Sequence, residues 1–290
     1  MSNKLKYAAL LLSLSVVGAS SCYAEDSKMA TPAKGPVVLS DSNTVVLNMP
    51  IMGPSVSKVI LAAQEKDLAL PAGQPLYLFI DSPGGSIVDG MEMIQALQGL
   101  GREIKTITSF SASMAFITVQ SLGERIVTPS GVLMSHHAAG GMDGIIPGSM
   151  DTRYHFWNQY IDDVLVPVAK RLGMTVKELH EKDQNEWWTS GSHAVQAKTA
   201  DAVRLVQCDK SLSGSRVEEF QTFFGPVEVT FAKCPLIKTP LAISFKNIKY
   251  QQMSAVEVRD FDKAIQEFFY DKNAFTEDFI VTNKQQNIFK

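Results

Sequence analysis

The chain lacks an excess of charge of either sign: 27 Lys and Arg stand against 30 Asp and Glu, a formal net charge of -3 over 290 residues. Such a balance does not attract DNA or RNA, so no nucleic-acid partner is expected. Internal repeats and low-complexity tracts are also missing. The composition, 45% hydrophobic and 20% charged, instead predicts a globular protein with a substantial core.

Long apolar runs are missing as well, except at the N-terminus, where residues 1–24 predict a secretory signal peptide. Lys4 and Lys6 precede an apolar run at 7–18, and small residues follow up to Ala24. Because the run is short for a membrane span, a cleaved leader is favoured over a buried helix or an uncleaved anchor. Acylation of Cys22 is a further alternative. We therefore expect an exported, soluble protein, periplasmic or secreted.

Cysteine is scarce, with 3 in the whole chain. Removal of the leader would leave only Cys208 and Cys234, and an even pair in an oxidising compartment is a candidate disulfide. Two separate buried thiols are the alternative, because a sequence does not show whether the two Cβ atoms meet.

Between residues 37 and 206, β-type runs alternate with helical patterns. Helices between strands imply crossover connections, which predict an α/β domain with a parallel sheet. Residues 25–36 are polar and predict a linker, and residues 207–290 predict a small α+β appendage. The predicted strands of the main domain lie at 44–47, 76–80, 104–108, 125–127 and 132–134. The predicted helices lie at 55–66, 86–100, from 113 onward, 150–172 and 175–182. In the appendage, strands are predicted at 225–232 and 241–248 and a helix at 255–269.

Two strand ends carry residues suited to acyl transfer. The segment Ser82-Pro83-Gly84-Gly85 follows the strand at 76–80, and its glycines permit positive φ and expose backbone N–H groups. Ser113 begins the helix after the strand at 104–108, where a helix N-terminus favours developing negative charge. Taken singly, the first segment fits an ordinary strand–helix turn and Ser113 fits an N-cap.

A third strand end carries His136 and His137, after the β-type run at 132–134. Neighbouring side chains of an extended chain point to opposite sides, so one histidine can face a cleft, and no metal site is predicted. A catalytic histidine needs a partner on its other ring nitrogen, and Glu186 and Asp183 are the candidates. A solvated helix end is the plain alternative for these two acids.

Together these segments resemble the proteolytic subunit of the Clp protease, ClpP, in the ClpP/crotonase fold group. The resemblance covers about 160 residues, as expected for one domain. It implies a ClpP/crotonase-like spiral of βαβ units at 37–206 and a serine-type endopeptidase that needs no cofactor. It is carried by LYLFIDSPGGSIVDGM at 76–91, SASMA at 111–115, LMSHHAAGG at 133–141, RLGMTVKELHEKD at 171–183 and WWTSGSHAV at 187–195.

The resemblance also implies roles for single residues. Ser113 matches the family's nucleophile and His136 its general base, while the backbone N–H groups of Gly85 and Met114 match the donors of its oxyanion hole. Counting back from Ala194 places Glu186 at the position of the triad acid. An alignment with a one-residue deletion places Asp183 there instead.

The implied substrates are peptides or unfolded polypeptides. Because an exported chain meets no ATP, we expect it to work without an ATP-driven unfoldase. The resemblance further implies a homo-oligomer, with the helical stretch 156–168 in the place of the family's ring-to-ring handle. The main alternative is a catalytically inactive scaffold or binding protein of the cell envelope. An enzyme with a Ser-Lys dyad is less favoured, because no lysine is as well placed as His136. An acyl-CoA enzyme is not favoured either, because its typical oxyanion motif is absent, so CoA is not expected.

Overall fold

The computed structural model describes residues 35–145, 148–222 and 225–245. The predicted leader, most of the predicted linker and the predicted helix at 255–269 lie outside these residues. The strands are β1 Val37–Leu39, β2 Thr44–Leu47, β3 Leu76–Ser82, β4 Ile104–Ala112, β5 Arg125–Ser135, β6 Trp187–Ser190, β7 Ala202–Val203, β8 Val206–Cys208, β9 Ser215–Thr222, β10 Gly225–Ala232 and β11 Ala242–Phe245. The helices are α1 Gly53–Ala69, α2 Ile87–Gly99, α3 Met114–Ser121, α4 Ser149–Leu172, α5 Val176–Asp183 and α6 Gly191–Gln196, with a 3-10 turn at Lys210–Leu212.

The main sheet has the strand order β2-β3-β4-β5-β6, and β7 also pairs with β5. Strands β2 to β5 run parallel, joined by the crossover helices α1, α2 and α3, whereas β6 runs antiparallel to β5. The predicted α/β class is therefore confirmed. In a parallel sheet the carboxyl ends of neighbouring strands meet at one edge, and this edge positions the site.

Three strands of this sheet are longer than predicted because the pairing passes through irregularities. The register shifts between Ile80 and Asp81 on β3 and between Thr108 and Phe110 on β4. Opposite the second shift, β5 accommodates several extra residues around Gly131, so the two β-type runs at 125–127 and 132–134 form one strand. A bulge interrupts the two-residue alternation on which strand prediction depends.

The two faces of the main sheet pack against different partners. On one face, Leu78 and Ile80 join the larger apolar cluster, which includes side chains from α1, α2 and α3. On the other face, Phe79, Ile107 and Ile126 form a smaller cluster with residues of β1 and with Leu212. The helices therefore cover one face, and segments from both ends of the described chain cover the other.

The appendage attaches to the main domain through its first residues. Strand β8 pairs in parallel with β1, so the predicted boundary between 206 and 207 falls inside a strand. Beyond it, β9, β10 and β11 form an antiparallel sheet. A disulfide joins Cys208 to Cys234, with their Cα atoms 5.9 Å apart.

Among the described helices, none is both long and apolar enough to cross a bilayer.

Candidate active site

Ser113 occupies the sharp turn between β4 and α3. Its backbone has φ 56° and ψ −124°, a conformation that L-residues rarely adopt. The turn is held by a hydrogen bond of 2.9 Å from the Ser113 N–H to the carbonyl oxygen of Met134 on β5. The Ser113 hydroxyl makes no capping hydrogen bond to α3, so the N-cap interpretation does not account for this serine. Strained backbone of this kind concentrates at functional sites.

The glycine turn after β3 packs directly against the Ser113 backbone. Gly84 has φ +91°, and a Cβ atom there would lie 2.5 Å from the carbonyl oxygen of Ala112 and 2.7 Å from the amide nitrogen of Met114. Both values are far inside contact distance. Only glycine lets the two backbone segments approach this closely.

Ile51 fixes the same turn from its other side. The Ile51 N–H donates to the Gly84 carbonyl oxygen at 2.7 Å, and the Ser86 N–H donates to the Ile51 carbonyl oxygen at 2.8 Å. Gly85 lies between these two bonds, and a Cβ atom on it would collide with the Ile51 carbonyl oxygen. The positions of the Gly85 and Met114 amides are therefore set by backbone packing. Met114 is also the first residue of α3, so its N–H has no partner inside the helix.

His136 follows the end of β5, the strand next to β4. Ala112 on β4 pairs with Met134 on β5, so Ser113 and His136 leave the same edge of the sheet from adjacent strands. Within the described residues, no hydrogen bond joins the Ser113 hydroxyl to the His136 ring. Such bonds are often long in the free enzyme and tighten when substrate binds.

The surroundings of His136 favour its neutral form. Burial lowers the pKa of His136, an effect that the negative charges of Glu186 and Asp183 oppose and that the charge of His137 reinforces. The net pKa shift is downward from the ordinary 6.5. A neutral imidazole at neutral pH has a nitrogen lone pair free to accept a proton, as a general base must.

The two candidate acids differ in their environments. Glu186 is exposed, has φ 60°, and accepts a 2.8 Å hydrogen bond from the indole N–H of Trp188. Asp183 is only 3% exposed, and its Oδ1 atom has no hydrogen-bond partner among the described residues. Burial raises the pKa of Asp183. A hydrogen bond with Ser135 and the charges of nearby histidines act in the opposite direction and lower it. Glu186 exerts the larger influence of the two acids on His136.

The His137 side chain contacts His180 on α5. Its Nε2 atom donates to the carbonyl oxygen of His180 at 2.9 Å, and the Nε2 atom of His180 donates to Asp162 on α4 at 2.9 Å. The adjacent histidines thus have different partners. Sequence reasoning assigned no role to His180, although it lies within the segment 171–183 that carries the resemblance, and no motif marks Asp162. The described residues contain no group of His, Cys, Asp and Glu side chains able to hold a metal ion.

Comparison with known proteins shows where this chain belongs. The model of the Clp protease family matches residues 38–205, more than half of the chain. The chain is a member of the Clp protease family. The match ends near β8 and leaves the appendage outside it.

Individual relatives within the Clp protease family are distant. The ATP-dependent Clp protease proteolytic subunit of Streptococcus pyogenes serotype M5 (strain Manfredo) is 24% identical over 130 residues, which is 41% of this chain and 63% of that protein. The subunit of the same name from Streptococcus suis (strain 98HAH33) is 26% identical over 127 residues, with the same coverage. The chain therefore spans about 63% of the length of these curated relatives.

Proposed function

We propose that this chain is a serine-type endopeptidase that cleaves peptides or unfolded polypeptides. The observation that carries the proposal is the position of Ser113, held at positive φ against the Gly84 backbone, with its hydroxyl not used as a cap. His136 leaves the adjacent strand at the same edge of the sheet. Membership of the Clp protease family supports the same activity.

In the proposed reaction, His136 removes the proton from the Ser113 hydroxyl as the oxygen attacks the amide carbonyl. The N–H groups of Gly85 and Met114 stabilise the oxyanion that forms. The protonated imidazole then gives its proton to the leaving amine, and water releases the acyl group by the same steps. Glu186 is the proposed third member, which stabilises the imidazolium, and Asp183 is the alternative.

Labelling with a fluorophosphonate probe tests this proposal, because the probe bonds only to an activated serine. Wild-type protein is expected to be labelled on Ser113, and Ser113→Ala is expected to lose both labelling and cleavage of a casein or fluorogenic peptide substrate, by about 10³-fold or more. Ser109→Ala, which changes a half-buried serine on β4, the strand that leads to Ser113, is the matched control. Labelling that persists in Ser113→Ala would remove this serine from the mechanism.

The proposal extends to assembly and location. Helix α4 carries three aromatic rings in mutual contact, Phe156, Trp157 and Tyr160, and Phe156 and the nearby Tyr154 are largely exposed. Exposed aromatic surface of this kind suits an interface, which supports a homo-oligomer. The N-terminal sequence supports export, and with it peptidase activity without an ATP-driven unfoldase. Light scattering coupled to size-exclusion chromatography measures the oligomeric state, and fractionation of cells measures the location.

A catalytically inactive scaffold is the second candidate. Two observations on the described residues favour it. No hydrogen bond joins Ser113 to His136, and the Glu186 carboxylate accepts its hydrogen bond from Trp188 instead of from His136. An oligomer of wild-type protein that shows neither probe labelling nor peptide cleavage would support the scaffold.

A further inference from the structure

We infer that Lys238 is a positioning residue for the proposed oxyanion hole, and that residues 234–238 form a strap that ties the appendage to the glycine turn. The Nζ atom of Lys238 lies 3.0 Å from the Oδ1 atom of Asp81, one residue before the Ser82-Pro83-Gly84-Gly85 segment. This inference rests on the proposed peptidase function. Lys238 lies outside the residues that match the Clp protease family, so family membership does not predict the contact.

The strap is anchored at its first residue. Cys234 is bonded to Cys208, the last residue of β8, and β8 pairs with β1 on the main domain. The disulfide therefore connects the end of β10 to a segment that is itself hydrogen-bonded to the family domain. A covalent bond at this point limits how far the following residues can move.

After that anchor the strap makes a turn, in which the Ile237 N–H donates to the Cys234 carbonyl oxygen at 3.1 Å. Leu236 packs in the apolar cluster that contains Phe79, and Lys238, two residues further on, reaches Asp81, two residues after Phe79. The strap therefore contacts the main domain at two places, the apolar cluster that contains Phe79 and the Asp81 carboxylate. The strap thus ends where β3 gives way to the glycine turn.

Asp81 lies at the base of that turn, where a change in its side-chain contacts can move the turn. Its side chain is only 7% exposed, and a nearly buried carboxylate needs compensating charge or hydrogen bonds. The β3–β4 register shifts immediately before it, between Ile80 and Asp81. Ser82 follows, and its hydroxyl accepts the Gly84 N–H at 3.2 Å while donating to the Met49 carbonyl oxygen at 2.7 Å. A displacement of Asp81 is therefore passed directly to Gly84 and Gly85.

Lys238 supplies a cation to this carboxylate from a side chain that is itself 35% exposed. Loss of that cation is expected to weaken the hold on the Asp81 side chain and to let the glycine turn shift. The Gly85 N–H would then be misaligned with the oxyanion, while the rest of the substrate surface stays unchanged. The lysine affects the reaction through the turn and does not contact the substrate.

The test compares Lys238→Met, Lys238→Arg and Lys233→Met in the full-length oxidised protein. Lys238→Met keeps the aliphatic stem and removes the charge, and we expect kcat for a fluorogenic peptide and the rate of fluorophosphonate labelling of Ser113 to fall about threefold to tenfold, with KM unchanged. Lys238→Arg is expected to restore most of the rate. Lys233→Met, an exposed lysine of the appendage away from Asp81, is expected to match wild type.

If Lys238 only stabilised the fold, Lys238→Met would lower the melting temperature without a selective loss of kcat at unchanged KM. Thermal unfolding is therefore measured on every variant. Hydrogen exchange at the amides of residues 84–86 gives a second reading, and it is expected to accelerate in Lys238→Met alone. Equal labelling rates and equal exchange in Lys238→Met and wild type would overturn the strap while leaving the peptidase intact. Absence of Ser113 labelling in wild type would overturn the peptidase itself.

Discussion

The sides of the site that hold the proposed nucleophile and the proposed base are built differently. Ser113 is held by main-chain contacts on two sides, from Met134 on β5 and from Gly84 in the turn after β3. His136, in contrast, is the first residue after β5 and is followed by an exposed segment at 137–145. Its candidate partners come from α5 and the residues just beyond it.

This contrast shows which part of the site is fixed by backbone and which depends on side chains. Main-chain packing leaves one arrangement for the nucleophile and the oxyanion donors, because Gly84 and Gly85 have no room for a Cβ atom. The proposed base, His136, is influenced by neighbouring side chains, and Glu186 and Asp183 are both candidates for its acidic partner. We therefore expect substitutions on the nucleophile side to have larger effects than those on the base side.

Gly84→Ala is the severest test of the nucleophile side. The added methyl group would lie 2.5 Å from the Ala112 carbonyl oxygen and 2.8 Å from the Ser113 Cβ atom, so the turn or the serine must move. Displacing the nucleophile and one oxyanion donor together is expected to lower kcat/KM by at least about 10³-fold. Steady-state cleavage of a fluorogenic peptide measures the loss.

Gly73→Ala is the matched control for that substitution. Gly73 has a comparable φ of +79°, but nothing lies within 4 Å of the position of an added Cβ. It is expected to lose about 1 kcal/mol of stability from backbone strain and to keep its activity. If Gly84→Ala were as active as Gly73→Ala, the tight packing of the turn would have no bearing on catalysis.

On the base side, Glu186→Gln and Asp183→Asn separate the two acids. Loss of the true partner is expected to lower kcat by about tenfold to 100-fold, less than at Gly84, because an ion pair open to water is weak. The larger influence of Glu186 on His136 leads us to expect the larger loss in Glu186→Gln. Kinetics of the two variants measured side by side give the answer.

Stability distinguishes the two acids independently. The pKa of Asp183 is raised in the folded state, so its ionised form costs stability above the pKa of the unfolded chain. Asp183→Asn is therefore expected to keep or raise the melting temperature at neutral pH. A large loss of kcat in Asp183→Asn with none in Glu186→Gln would transfer the role of partner to Asp183.

Much of the fold follows from the sequence because its periodicity is local. The predicted strand at 44–47 is confirmed, and the helix predicted at 175–182 is found at Val176–Asp183. What the sequence did not reveal depends on pairing between distant segments. The register shifts in β3 and β4 and the antiparallel β6 are set by neighbouring strands, which no local pattern reports.

The residues of the candidate site also differ in how far the local sequence predicts them. Residues on turns with a backbone requirement, such as Gly84 and Ser113, leave a motif, because only certain residue types satisfy the requirement. Side chains that act through long-range contacts leave a weaker signal, although His136 lies within the motif at 133–141. The acid near His136 and the contact of Lys238 with Asp81, 157 positions apart, depend on long-range packing. Spacing along the chain left both Glu186 and Asp183 as candidates for the acid, and it did not indicate the contact of Lys238 with Asp81.

The pH dependence of kcat/KM gives the smallest and most specific test of the base side. Since burial lowers the pKa of His136, activity is expected to fall with acid only below pH 6.5. The charge of Glu186 raises that pKa and the charge of His137 lowers it, so the acid limb should move to lower pH in Glu186→Gln and to higher pH in His137→Gln. Rate profiles between about pH 5 and 8 measure both shifts. Because general loosening of the site would move both variants in one direction, only opposite shifts would identify His136 as the group that titrates.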